Sequence, residues 1–305
     1  MKRNIYSKLW MIFFVLMGAA CTNQVEDAIP VSGQPIGFSV QSDWKEILNT
    51  RSNDKTQFGP NDEIQIFGFH KPFRDADENV QFMYKEGDPT TGQKVTYDNG
   101  NWNYSPKRFW PKKGVLDFFA SYPYNSVHYD VGNKRMTYNN NLTQDLLYGL
   151  ATNRDCASKE TVSIWMVHAL AKVRIILDES LGDIGQVTVS GYKTGHFSPI
   201  NNGVPAWEID NVNTHIYADF RKYEGKVDEE LKNNNSVTVF ILPDKITGLK
   251  MWNSVGQEID ASEEIKKHTF LAGMVYNLTI SKSNGVRKKN TNSRSIAMSV
   301  RCVSE

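Results

Sequence analysis

The chain has 305 residues, with 35 basic and 34 acidic side chains and a formal net charge of +1 at pH 7. Aromatic residues make up 11% of the sequence, a high share that suits large apolar cores. The near-neutral charge excludes a strongly basic nucleic-acid-binding protein, and the length suits two domains of ordinary size.

The N-terminus predicts a secretion signal over residues 1–20. Three basic residues, Lys2, Arg3 and Lys8, precede an apolar run from Leu9 to Met17, which is too short for a spanning helix of ~20 residues. Small residues then lead to Cys21, a pattern similar to a bacterial lipobox in which this cysteine carries lipid. An ordinary signal peptide is the alternative. Residues 1–20 hold three basic and no acidic residues, so their removal leaves 32 basic against 34 acidic residues, a net charge of −2.

Residues 21–34 are polar and aperiodic, which predicts a flexible tether. The next segment alternates apolar side chains at Ile36, Phe38 and Val40, the period of a half-buried strand. Short runs of this kind, separated by turns, then follow to the end of the chain. Among the turns, Asp98-Asn99-Gly100 predicts a tight hairpin, because asparagine and glycine tolerate positive φ angles.

The number and spacing of these runs predict an all-β fold of two tandem antiparallel β-sandwiches. The expected domains cover residues 35–157 and 158–282, with the join in a polar stretch. Residues 283–305 are then a basic linker followed by a terminal strand. The side chains that alternate on one face of this strand are Ile296, Met298, Val300 and Cys302.

No catalytic, nucleotide-binding or metal-binding motif occurs in the sequence, so we expect no enzyme activity, no cofactor and no metal. The six histidines are scattered, and His168 lies in an apolar run typical of a structural histidine. Cys156 and Cys302 are either free thiols or one disulfide, because sequence alone does not give their separation.

The stretch Phe109–Asn125 is rich in aromatic residues, which either form a ligand-binding platform on the surface or pack in the core. Both parities of the run from Val115 to Tyr122 carry large apolar groups, which favours a central strand that is covered on both faces. We therefore expect core packing, with Trp110 and Tyr124 as the exposed members at the ends.

Several segments together carry a family likeness: GNWNYSPKRFWP, LDFFASYPY, DLLYG, HALAKV and LAGMVYNLTI. In these, the chain resembles the fimbrillin (Mfa-like) family, which comprises Bacteroidales-type lipoproteins of type V pili and related surface adhesins. The resemblance runs from about Ile36 to Ser281. It implies that each sandwich is transthyretin-like.

The resemblance also implies a mode of assembly. Polymerising members are cut by an arginine-specific protease after their first strand, and a strand from the next subunit fills the groove that opens. Arg51 lies at the corresponding place, after the strand of Ile36, Phe38 and Val40; an ordinary surface arginine is the alternative. The terminal strand is the candidate donor, or else it completes its own sandwich.

The sequence therefore predicts a non-catalytic fimbrial subunit or adhesin at the bacterial cell surface, held in the outer membrane through lipid on Cys21. The expected partners are other pilin-type subunits by strand addition, and a surface protein or glycan. The alternative is a surface glycan-binding lipoprotein for polysaccharide capture, which predicts exposed aromatic side chains in a row on one face.

Overall fold

The computed structural model describes residues 29, 31–42, 57–71, 80–198, 206–210, 215–282 and 285–293. The predicted signal, Cys21, Arg51 and the terminal strand of Ile296, Met298, Val300 and Cys302 lie outside these residues. The described chain is almost entirely β-structure arranged as packed sheets, which confirms the predicted fold class.

The described residues of the first half of the chain form twelve strands. They are β1 (Val31–Pro35), β2 (Phe38–Ser42), β3 (Glu63–Lys71), β4 (Val80–Met83), β5 (Gln93–Asp98), β6 (Asn101–Asn103), β7 (Phe109–Pro111), β8 (Val115–Tyr122), β9 (Val127–Asp130), β10 (Arg135–Asn139), β11 (Leu147–Asp155) and β12 (Val162–His168). The predicted hairpin joins β5 to β6, with φ angles of 47° at Asn99 and 83° at Gly100.

The described residues of the second half form ten more strands, two short helices and a 3-10 turn at Glu179–Leu181. The strands are β13 (Ala171–Leu177), β14 (Ile184–Tyr192), β15 (Thr194–Phe197), β16 (Glu208–Ile209), β17 (His215–Arg221), β18 (Ser236–Ile241), β19 (Gly248–Asn253), β20 (Glu258–Asp260), β21 (Met274–Ser281) and β22 (Gly285–Ser293). The helices are α1 (Glu229–Asn234) and α2 (Ser262–Ile265).

One large sheet organises the first half, in the order β2-β12-β11-β8-β3-β5-β6, with β4 also paired to β3. Its centre is β8, which is covered on both faces as predicted. Leu116 and Phe118 pack into one core and Phe119 into another, and all three are at most 1% exposed. The aromatic stretch is therefore scaffold.

The expectation that Trp110 is exposed was wrong. Strand β7 pairs with β1 over the sheet, so the Trp110 indole turns inward and meets the Phe118 ring edge-on, with 6.4 Å between ring centroids. Its exposure is 1%, whereas the neighbouring Phe109 is 38% exposed. Phe109 and Trp110 are adjacent in a strand, so their side chains lie on opposite faces. The sequence did not show which of the two faces is covered.

Two four-stranded sheets, β18-β13-β21-β22 and β17-β14-β19-β20, form the sandwich of the second half. Their facing side chains make one core, in which Val173, Ile175, Val187 and Val189 are fully buried. Residues 285–293, which we assigned to a basic linker, form β22 beside β21. An edge strand of this kind is held by main-chain hydrogen bonds, so it needs no apolar pattern.

A third four-stranded sheet, β16-β15-β10-β9, contains strands from both halves of the chain. It covers the second face of the large sheet, where Phe119 lies 5.7 Å from Phe197 between ring centroids. Strand β12, which we placed in the second half, pairs with β11 and β2 in the large sheet. A short connection from β11 makes this antiparallel neighbour the easiest one to form.

The close approach of β11 to β12 leads to a prediction at Gly149. A Cβ atom there would come 2.6 Å from the Trp165 carbonyl oxygen and 2.7 Å from Ile164 Cγ2. We expect Gly149→Ala to lower the free energy of unfolding by about 1–3 kcal/mol in chemical denaturation, because backbone has to shift. Gly132→Ala is the control, since its Cβ would meet only Asp130 Oδ1 at 3.5 Å. Equal effects of the two substitutions would contradict this packing.

The buried tyrosines predict alkaline instability. Burial raises the pKa of Tyr104 to about 12, and burial also raises the pKa of Tyr138 and of Tyr148. Tyrosines of the unfolded chain ionise near pH ~10, so above that pH the unfolded state loses protons that the folded state keeps. We expect the free energy of unfolding, measured by urea denaturation, to fall as the pH rises from about 10 to 12. Tyr148→Phe should reduce this slope, and an unchanged slope would contradict the assignment.

Candidate functional site

The candidate site is the groove at the edge of the large sheet that holds β2 and the residues leading into it. We call residues 31–42 the first strand and the groove the first-strand seat. Ile36, Phe38 and Val40 are 2%, 7% and 6% exposed, whereas Gly37 and Gln41 face solvent. The alternation predicted from the sequence is therefore present in the structure. Each apolar side chain points into the core below the sheet.

The inner edge of the seat is β12, which runs parallel to β2. Their register pairs Val162 with Phe38 and Ile164 with Val40. The Val162 amide donates to the Gly37 carbonyl at 2.8 Å, so the backbone of this segment joins the ladder through its odd-numbered residues. The parallel direction is an exception to the antiparallel pairing that we expected throughout.

The outer edge of the seat is made by two aromatic side chains on and after β6. The Tyr104 hydroxyl donates to the Ile36 carbonyl at 2.7 Å, and the Trp102 Nε1 group donates to the Val40 carbonyl at 3.3 Å. Both side chains are buried, at 7% and 8% exposure. The large sheet thus curls until its two ends, β2 and β6, meet.

The floor of the seat is apolar and aromatic. The Phe38 ring stands edge-on to Phe118, with 5.4 Å between centroids, and lies 5.7 Å from the Tyr104 ring. Burial of a side chain of this size contributes about 1.5–3 kcal/mol, with roughly 0.5–1.5 kcal/mol more for an aromatic pair. Most of the affinity of the seat for its strand therefore comes from three side chains.

Strand β1 and the residues that join it to β2 make fewer buried contacts than β2 does. Strand β1 pairs with β7, the Ile36 amide donates to the Arg108 carbonyl at 2.8 Å, and the Gln34 side-chain amide donates to the Lys159 carbonyl at 2.9 Å. The side chains of β1 are mostly exposed. Strand β1 adds main-chain hydrogen bonds and little buried apolar area.

The structure describes only some of the other predicted residues. Arg51, Cys21 and the terminal strand lie outside the described residues, so their placement is untested. Cys156 is a free, buried thiol, and burial raises its pKa to about 12, which makes it a poor nucleophile. His168 is buried and bonded through Nδ1 to Asp145 at 2.5 Å, a structural arrangement.

Trp102 and Tyr104 were missed in the sequence analysis. Their only signal was the short alternating run WNY after a tight turn, which indicates an edge strand and gives no hint of what that strand touches. Contacts between the two ends of a curled sheet join residues that are more than 60 positions apart, so no local pattern predicts them.

Exposed aromatic side chains are spread over the described residues. Trp165 on β12, Tyr217 on β17 and Phe109 on β7 are 44%, 67% and 38% exposed and lie in three different sheets, and Tyr223, which follows β17, is 49% exposed. Among the described residues, no cluster of His, Cys, Asp and Glu is arranged to hold a metal ion. That same part of the chain contains no helix with the length and apolarity to span a membrane.

The comparisons with known proteins agree with this architecture. The fimbrillin-like family model matches residues 50–297. A crystal structure of a protein assigned to cell adhesion from Bacteroides uniformis aligns with a TM-score of 0.51 and 18% identity, over 86% of this chain and 99% of that one. A second such protein, from Bacteroides ovatus, aligns with a TM-score of 0.51 and 13% identity, over 85% and 96%.

At these identities the two structures show a shared fold. No curated protein matches the sequence. The family model nevertheless covers most of the chain and includes the strands that build the large sheet after β2. The chain therefore belongs to the fimbrillin-like family.

Proposed function

We propose that this protein is a non-catalytic, cell-surface subunit of a fimbria or adhesin that assembles by strand exchange. In this proposal, residues 31–42 leave the first-strand seat and a strand from another copy of the chain enters it. Membership of the fimbrillin-like family supports the fimbrial role. The observation that carries the exchange is a match between the first strand and the terminal segment.

The two segments have nearly the same sequence. Residues 36–40 read IGFSV and residues 296–300 read IAMSV. Isoleucine, serine and valine are identical, and the two differences replace glycine by alanine and phenylalanine by methionine. A strand that presents the same apolar side chains at alternate positions can use the same pockets.

The seat geometry accommodates both differences. A Cβ atom at Gly37 would come no closer than 3.6 Å to Thr161, ordinary van der Waals contact, so Ala297 fits in that register. Met298 is flexible and polarisable, which suits the aromatic surroundings of Phe38. In the same register Cys302 replaces Ser42, whose buried hydroxyl has no hydrogen-bond partner among the described residues.

Removal of the first strand requires a cut, because the strand is covalently tied to the sheet that it covers. Arg51 lies between the end of β2 at Ser42 and the start of β3 at Glu63. A cut after Arg51 separates both the first strand and the proposed lipid on Cys21 from the remaining chain. One cleavage would then release the subunit from the outer membrane and open its seat.

Proteolysis tests this proposal directly. We expect an arginine-specific protease to remove residues 21–51 from the purified chain and to yield head-to-tail oligomers in size-exclusion chromatography. Arg51→Ala should block both events. Arg221→Ala, at a half-exposed arginine in β17, is the matched control and should block neither. A shortened chain that stays monomeric would remove the mechanism.

Substitutions on the two faces of the proposed donor strand test its register. We expect Met298→Asp to abolish oligomerisation of the processed chain, because its carboxylate would be buried against Tyr104 and Phe118 without a partner. Ser299→Asp changes the same segment at a position that corresponds to the partly exposed Ser39, and it should still assemble. Size-exclusion chromatography coupled to light scattering measures both. Equal losses would exclude the proposed register.

A further inference from the structure

The first strand has a backbone edge that faces away from β12. Among the described strands, β2 pairs only with β12, so its even-numbered carbonyls point to the outer side. Val40 in β2 and Ile36 just before it are two such residues, and their carbonyls accept hydrogen bonds from Trp102 and Tyr104. The Tyr104 and Trp102 side chains therefore donate the hydrogen bonds that main-chain amides of a neighbouring strand would otherwise donate to these carbonyls.

Both donors are held firmly by other groups. The Trp102 ring lies edge-on to Phe58, with 4.9 Å between centroids, and 5.1 Å from the Tyr97 ring. The Tyr104 ring carries the Lys107 ammonium 4.5 Å above its centroid, and the Tyr104 hydroxyl accepts a hydrogen bond from the Arg108 amide at 3.4 Å. These contacts orient the donors from residues outside the first strand, so the donors belong to the seat.

We infer that Tyr104 and Trp102 are positioning residues that form the second edge of the seat and hold any strand in it by two outward carbonyls four residues apart. The ligand is an extended peptide segment with apolar side chains at three alternate positions and a small residue after the first. The first strand fits this description. The inference rests on the proposed function only where it extends to a second natural occupant, the segment around Ile296 and Val300.

The arrangement has a physical consequence for exchange. A sheet edge that two buried aromatic side chains cover is a poor template for an additional strand from outside, because the Ile36 and Val40 carbonyls are already bonded. An arriving strand therefore has to replace the occupant of the seat. Tyr104 also packs on the Phe38 ring, so the same residue contacts both the backbone and the central side chain of the occupant.

A peptide-exchange assay on the full chain tests this role. A site for a sequence-specific protease is introduced between residues 43 and 56, and the cut chain keeps its first strand by non-covalent contacts alone. A fluorescent peptide of residues 31–42 is then exchanged into the seat, and its apparent Kd is measured by anisotropy. This cut does not depend on Arg51 or on assembly.

We expect Tyr104→Phe to raise the apparent Kd about 3- to 10-fold, the range of one neutral hydrogen bond. Tyr148→Phe is the matched control, because Tyr148 is equally buried but packs into the core on the other face of the large sheet, away from the core that holds Ile36, Phe38 and Val40. It should leave the apparent Kd within about twofold. An equal effect of the two variants would overturn the inference.

A backbone change separates positioning from general stability. A peptide with an ester in place of the amide after Ile36 presents a weaker carbonyl acceptor at that residue. Its affinity should fall on the unmodified seat and fall less on the Tyr104→Phe seat, since the hydrogen bond is already absent there. Independent, multiplicative losses would overturn the inference. If Tyr104→Phe does not fold, the ester peptide is compared on the unmodified chain with an ester after the exposed Gly33, and equal affinities would overturn it.

A peptide of residues 291–302 separates this inference from the proposed function. If it displaces the first strand with the same dependence on Tyr104, both stand. If it does not bind, while the peptide of residues 31–42 shows the coupling, the positioning role is supported and the proposed donor is not. If neither peptide responds to Tyr104→Phe, the positioning role is wrong whatever the result of assembly.

Discussion

The rest of the structure depends on how the edge of the large sheet at β12 is paired and covered. Without the first strand, β12 would be the edge of the sheet. It would then expose apolar pockets and unpaired main-chain groups to water, which is unfavourable. The first strand satisfies both needs at once: its backbone completes the ladder and its three apolar side chains fill the core. An empty seat is therefore unfavourable in water.

The remaining elements make that seat rigid. Strand β8 at the middle of the sheet carries Phe118 to the floor of the seat and Phe119 to the opposite core. On that opposite face lies the sheet shared by both halves of the chain, in which Phe197 packs against Phe119. Because the second half supports the large sheet from behind, the seat has a firm back wall.

An exchange between similar strands is close to balanced in free energy. The first strand and the segment at 296–300 differ at two positions out of five, so neither gains much over the other in the same pockets. Under the proposed mechanism, the direction is set by covalent connectivity: a tethered first strand has a high effective concentration, which a cut removes. Trp102 and Tyr104 would then donate the same hydrogen bonds to the donor strand as they donate to the first strand.

What the sequence determined by itself was local and periodic. Alternation at Ile36, Phe38 and Val40 predicted a half-buried strand, and the two-sided apolar pattern of residues 115–122 predicted a central one, because side chains in a strand alternate between faces. The motifs that resemble fimbrillins identified the family. Tertiary structure alone decided that β2 lies parallel to β12, that Trp110 is buried, and that Trp102 and Tyr104 reach the outer carbonyls of the first strand. These features depend on which distant segments meet when the sheet curls, and no local pattern encodes that meeting.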